Sequence, residues 1–399
     1  MKPESFNLSV LRFFAMIVGI VLLFSAAIAE AQTFAVLHAF SGTDGSNPNG
    51  DLIRDGVGNI YGTTSGGGSS FPFAGVIFKI DPLGNLTVLH GFNGQSEGAM
   101  PLGRLLADSQ GNLYGMTGSG GDPACNCGTV FKLAPDGTLT VLHTFHGGTD
   151  GTASGAFGGL VAIGGALYGA TQFGGTPGCD GNLGCGVIFK VDLSGTETVV
   201  HRFSGGADGG FPSDLIRDQS GNLYGVTRGS TQGANDGAVF KLDRSGVLTV
   251  LHNFTGGADG GDPVFRLATD TNGVFYGTTG GEGGEVFRLD SGSGDISVLH
   301  HFASRPADGL EAGGGVLNVG GSLFGVADFG GITNTLCSIG CGVVYGWSTA
   351  GYTILHSFTG GDDGAAPSGA LMVGAEGGLY SAAALGGNSG NGVIFKITP

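Results

Sequence analysis

Seven times along the chain the sequence returns to [Leu/Val]-His-x-Phe, with histidines at His38, His90, His143, His201, His252, His300 and His356 and a mean spacing of 53 residues. Each copy is followed by an aromatic before a small residue, at Tyr61, Tyr114, Tyr168, Tyr224, Tyr276, Phe324 and Tyr380. A second aromatic comes after it, at Phe78, Phe131, Phe189, Phe240, Phe287, Tyr345 and Phe395. Seven ordered copies of three markers describe a chain assembled from one supersecondary unit. Within the first unit, turn residues separate four short strand candidates at residues 51–54, 59–64, 75–80 and 86–90, here named a, b, c and d, with no helical periodicity. Four short strands per unit predict an all-β fold, a seven-bladed β-propeller of four-stranded antiparallel blades. The expected blades cover about 41–92, 93–145, 146–203, 204–254, 255–302, 303–358 and 359–399 plus 33–40.

The two half units fit one another. Residues 392–399 read as strand c with no d after it, and residues 33–40 read as a strand d with no blade before it. The N-terminal strand is therefore expected to complete the last blade and close the ring, which pairs edges that would otherwise stay open. The same repeat accounts for the composition. Glycine makes up 85 of 399 residues, without the period of three or the proline content of collagen, and 27 phenylalanines argue against a solvated linker. Glycine falls in the turns, after each strand b aromatic and before strand c.

The combined pattern Asp-x-x-Gly-Asn-Leu-Tyr-Gly, Gly-Val-Ile-Phe-Lys and Leu-Thr-Val-Leu-His-x-Phe resembles the GloVer tandem repeat of bacterial exported proteins, the choice-of-anchor tandem repeat proteins. The resemblance runs from about residue 34 to 399. It implies export and, for many members, a C-terminal anchoring signal, but it implies no chemistry. Pro399 lies inside strand c with no such signal visible, which points to free secretion.

Export is also readable directly. Lys2 and Arg12 precede the apolar stretch 13–24, small residues follow, and Ala29-Glu30-Ala31 is an A-x-A site. Residues 1–31 are expected to be a signal peptide cleaved after Ala31. The alternative is an uncleaved anchor, since 13–29 approaches the length that spans a bilayer. The remainder is expected to be secreted or extracytoplasmic, without a membrane span, and monomeric. The net charge of −16 and the absence of a Lys/Arg run exclude a phosphate backbone as partner.

Length variation points to one face. The distance from the strand b aromatic to the strand c aromatic ranges from 11 to 21 residues, whereas the other two intervals vary by about two. The b-to-c and d-to-a connections share a face in a meandering blade, and variable loops on a rigid scaffold carry recognition. The d-to-a connections each hold an acid before glycine: Asp44, Glu97, Asp150, Asp208, Asp259, Asp308 and Asp363. These carboxylates could hold Ca²⁺ or a cationic ligand, or bond turn N–H groups as Asp-Gly turns commonly do. The six cysteines all lie in b-to-c loops, as Cys125 and Cys127, Cys179 and Cys185, Cys337 and Cys341; export and the even count favour three local disulfides over zinc. The histidines recur in every unit and are expected to satisfy hydrogen bonds between blades. Residues that break the repeat are the better ligand-site candidates: Trp347, the sole tryptophan, and Glu282 and Glu285 in blade five.

No Gly-x-Ser-x-Gly, His-Glu-x-x-His or Walker loop is present, and no cofactor or dedicated metal site is expected. The expected function is a non-enzymatic binding module for a polysaccharide or envelope protein, reached through the variable-loop face. The alternative is a propeller enzyme, of glycoside hydrolase or lyase type, whose glutamates would have to converge with Trp347 on one pocket.

Overall fold

A computed structural model describes residues 32–69, 74–153, 158–179, 183–229, 236–280, 283–302 and 308–399. Residues 1–31, expected to be a signal peptide, and Glu282 lie outside these residues. Seven antiparallel sheets follow one another in chain order as the blades of a β-propeller, each running from strand a to strand d. In the first blade, strand a is split into Ser46–Pro48 and Ile53–Arg54. Strand b is Ile60–Gly66, c is Val76–Ile80 and d is Leu86–Gly91. The last blade is Ala365–Val373, Leu379–Leu385 and Val393–Thr398, completed by Thr33–Ala39, which pairs antiparallel with Val393–Thr398. The expected closure by the N-terminal strand is what the structure has.

The repeated motifs have direct packing causes. Strands c and d carry a β-bulge at the same place in every blade, with the residue before each histidine as the extra one: Leu37, Leu89, Leu142, Val200, Leu251, Leu299 and Leu355. A bulge breaks the two-residue alternation. The extra residue before the histidine thus turns onto the core, as Leu37, Leu89 and Leu299 do, while the apolar residue before it stays exposed at Val36, Val88 and Val298. The Phe two positions after each histidine is buried and meets the strand c aromatic of the next blade edge to face, at 5.1 to 5.3 Å between centroids from Phe40–Phe78 around to Phe358–Phe395. These are favourable aromatic geometries. The core therefore lies between blades and not inside any one of them, so a blade cannot bury its own aromatics.

Two glycine positions are required by contact. A Cβ on Gly62, after the strand b aromatic, would stand 2.6 Å from Phe78 Cζ, and the equivalent Gly169 would be 2.5 Å from Phe189 Cζ. Gly75 opens strand c at φ +89, where a Cβ would sit 2.7 Å from the ring of Pro101 in the next blade. The a-to-b hairpin is held by its own aspartate: Asp55 accepts from the Val57 and Asn59 N–H groups, from Asn59 Nδ2 at 2.7 Å and from the Tyr61 hydroxyl at 3.0 Å. The Asp-x-x-Gly-Asn-x-Tyr element is thus a self-contained turn.

Candidate functional site

The face formed by the b-to-c and d-to-a connections is built from corners. The Nε2 of six repeat histidines donates to the acid of the following connection at 2.9 to 3.3 Å, and His143 faces Asp150 at 3.7 Å. The same ring meets the Phe two residues on, edge to face at 4.8 to 5.2 Å. Turn N–H groups also donate to the carboxylate, as from Ser41 to Asp44 Oδ1 at 2.7 Å and from Thr359 to Asp363 Oδ2 at 3.0 Å. Asp150 and Glu97 take a turn N–H in the same way, from His146 and Asn93. Burial opposes charge on Asp44, Asp208, Asp259 and Asp308. Even so, the hydrogen bonds they accept hold each below the usual carboxylate range. The acids are therefore engaged within their own corners, each histidine pairing with its own connection where the sequence reading had it bonding across blades. Blade contact comes instead from stacking in two places, where Tyr352 lies on His300 and Phe34 on His356 at 3.8 Å. Among the described residues no group of three or more His, Cys, Asp or Glu side chains is placed to hold a metal ion.

Inside the corners, at the start of strand a, lies a ring that the sequence reading missed. Asn47, Met100, Phe211, Asp262, Glu311 and Ala366 stand at equivalent points in six blades, and all are left-handed, with φ between 50 and 59. Proline directly follows five of them, as Pro48, Pro101, Pro212, Pro263 and Pro367. A left-handed non-glycine residue is uncommon and costs about 1 kcal/mol or more. The conformation is held by the preceding blade. The Asn47, Met100, Phe211, Asp262 and Ala366 N–H groups donate to the carbonyls of Asn391, Ala74, Cys185, Asp236 and Cys341, each the residue just before the strand c glycine. Cys127 accepts similarly from Ala153. The second cysteine of every pair thus stands at the inter-blade acceptor position, which Ala74, Asp236 and Asn391 fill in other blades.

All three disulfides are local: Cys125–Cys127, Cys179–Cys185 and Cys337–Cys341. Cys179 and Cys185 are fully buried against Phe203 and Phe211, whereas Cys125 is exposed.

Of the repeat-breaking candidates, Glu285 and Trp347 lie at opposite ends of strand c, in blades five and six. Glu285 begins strand c of blade five, buried, where its carboxylate accepts from the Thr279 hydroxyl and from His301 Nδ1 at 3.0 Å. Trp347 lies at the far end of strand c in blade six, where its Nε1 donates to Leu299 O at 3.1 Å and its ring packs between blades five and six. Two other groups on the loop face do break the pattern together. Arg228 binds Asp262 through two bonds, at 2.9 and 2.8 Å. Burial and the nearby Glu311 push the Asp328 carboxyl up to about 7, and its Oδ1 is buried without a hydrogen-bond partner.

At the axis, the residue ten positions before the strand b aromatic is Asp51, Arg104, Asp214 and Arg266 in blades one, two, four and five. Arg266 crosses to Asp51 at 3.2 Å and approaches Asp214 at 4.0 Å. Asp214 also accepts the Gly159 N–H at 2.9 Å, and Asp51 the Ala370 N–H at 2.5 Å. Burial pushes the Asp214 carboxyl up, against the pull of Arg104 and Arg266. The signal was present in the sequence as a column that alternates acid, base and glycine, but strand a contributes it one residue per blade.

No curated protein matches the sequence. Among solved structures, a streptogramin B lyase superimposes with a TM-score of 0.59 at 12% identity, over 92% of this chain and 97% of that one. An oligogalacturonate lyase from Vibrio parahaemolyticus gives 0.55 at 11%, over 92% and 94%. The extracellular domain assigned to a hybrid two component system of B. thetaiotaomicron gives 0.56 at 13%, over 91% of this chain and 41% of that one. Identities this low carry the propeller fold alone. The repeat is more specific than the fold: its corner histidines, hairpin aspartates and inter-blade aromatics recur around the ring, and the chain belongs to the Gloeobacter/Verrucomicrobia repeat family, which it matches over residues 21–179 and 126–339.

Proposed function

We infer that the protein is a non-enzymatic binding module of the cell envelope or extracellular space, which holds a polysaccharide or an envelope protein on its b-to-c and d-to-a face. One observation carries the reading: at the left-handed position of strand a the backbone is the same in six blades and the side chain differs in every one, Asn47, Met100, Phe211, Asp262, Glu311 and Ala366. Strain retained at a fixed point while residue identity drifts is what a recognition ring on a rigid scaffold requires. Disulfide-closed loops in three blades stand beside this ring and suit an oxidising compartment. The test is a glycan array together with an envelope-extract pull-down on the purified protein. Retention weakened about tenfold or more by Met100→Glu or Asn47→Ala is expected, and no retention on either platform overturns the reading.

The enzymatic alternative keeps one supporting observation. Asp328, with its carboxyl pushed up to about 7, sits beside Glu311 on the same face, and a carboxyl that keeps its proton near neutral pH suits a general acid role. Glycan turnover by the wild type that is lost in Asp328→Asn would replace the binding reading with this one.

A further inference from the structure

On the a-to-b side of the axial charges lies a pocket of about 270 Å³. Three of its lining residues are arginines: Arg104, Arg217 and Arg266. The whole sequence has only 16 basic residues against 32 acidic ones, so this grouping runs against the character of the molecule. The remaining wall is mostly aliphatic, with Leu106, Val161 and Ile216 among it. Arg104 and Arg266 are also exceptions within the repeat: they stand where blades three, six and seven have Gly159, Gly315 and Ala370, whereas the position of Arg217 is also arginine in blade one, as Arg54. A merely structural role would predict recurrence, as it does for the corner histidines.

The charge is not cancelled inside the cluster. Arg266 spends its contacts on Asp51 and Asp214. The buried Nε of Arg104 has no hydrogen-bond partner. A guanidinium group presents a planar fork that matches a carboxylate with two parallel bonds. Three cations against the two axial carboxylates leave one positive charge, which suits a monoanion better than a phosphate dianion. The aliphatic wall requires that the anion carry a hydrocarbon part, and a volume at the lower end of ligand pockets limits it to a small molecule or the end of a chain. Beyond the pocket, Ile216 and Arg217 also line a cleft of about 860 Å³ between the hairpins of blades four, five and six. That cleft gives a ligand anchored at the axis room to extend.

We propose that the axial arginine pocket binds a small organic monocarboxylate, or a carboxylate-bearing chain end, from the a-to-b face. This site is on the opposite side of the ring from the loop face, and it stands whether or not that face binds a polymer.

The experiment is calorimetric titration of the purified full chain with 4-methylpentanoate, 4-methylpentanamide, acetate and inorganic phosphate. Saturable binding of 4-methylpentanoate is expected, with the isosteric amide weaker by about tenfold or more because it cannot use the charged fork. Acetate should be weaker than 4-methylpentanoate, since it leaves the aliphatic wall uncovered. Arg104→Gln and Arg217→Gln should each weaken 4-methylpentanoate by about fivefold or more. Arg202→Gln, on an outer strand d, should leave it unchanged. Should Arg104→Gln fail to give a wild-type melting curve, the exposed Arg217 decides alone. Absence of saturable binding, equal affinity for acid and amide, tighter binding of phosphate, or wild-type affinity in Arg217→Gln would each overturn the proposal.

Discussion

His356 illustrates how one residue serves both fold and electrostatics. Its ring stacks on Phe34 at 3.8 Å, meets Phe358 edge to face and donates to Asp363 at 3.1 Å. Burial lowers its pKa, only partly opposed by Asp363, so the folded protein holds the proton less readily than the unfolded chain. Stability from this group is therefore complete above the unfolded value near 6.5 and is lost as pH falls through it toward the folded value. His143 shifts the same way, from burial first. Urea unfolding of His356→Gln should show a shallower loss of stability between pH 7 and 5 than the wild type; parallel curves would contradict the assignment. The presence of these histidines was legible in the sequence, because they recur. Their partners were not, because the acid lies six to eight residues on, across a corner whose geometry depends on the bulge. Asp51, Arg104, Asp214 and Arg266 escaped for the opposite reason: acid and base each hold the position in only two blades, and only ring closure brings residues from four blades together.

At the scale of the strand and loop, most of the architecture could be read in advance because turn chemistry brackets every strand. Strand a was the exception. It is split in several blades, and its left-handed residue is not glycine, so only the proline that follows in five blades marks the position. The b-to-c loops were correctly picked out as variable, yet their cysteines matter to the neighbouring blade as much as to the loop. Cys179 and Cys185 are buried in a cluster with Phe203, Phe211 and Phe240, and the Cys185 carbonyl accepts the Phe211 N–H. Replacing both cysteines with alanine should cost about 2 kcal/mol from loop entropy alone, with a further loss from the space left in the cluster. The Cys125/Cys127 double variant should cost less, since Cys125 is exposed. Chemical denaturation midpoints of the two variants check the order, and equal losses would show that the buried cluster contributes nothing.

For the whole molecule, stability belongs to the ring because the aromatic core lies between blades. Thr33–Ala39 covers the outer edge of Val393–Thr398, and Phe34 packs against Phe358 and Phe395. A chain lacking residues 33–40 would present an unpaired strand and uncovered aromatics. Size-exclusion chromatography with light scattering should find it self-associated, and a synthetic peptide of residues 32–40 added in trans should restore the monomer. A monomeric truncation with an unchanged melting curve would contradict the closing role. Complementary half units gave this closure away at once in the sequence, whereas the axial pocket needed the assembled ring. The same strand also sets an order in time. Synthesis delivers Thr33–Ala39 early, and its hydrogen-bond partners appear only once Val393–Thr398 has been made. At about 5–20 residues per second this is a wait of roughly 20 to 70 s, through which the earliest strand stays single. A chaperone that shields this segment, or export before folding, would keep it from pairing with the wrong edge.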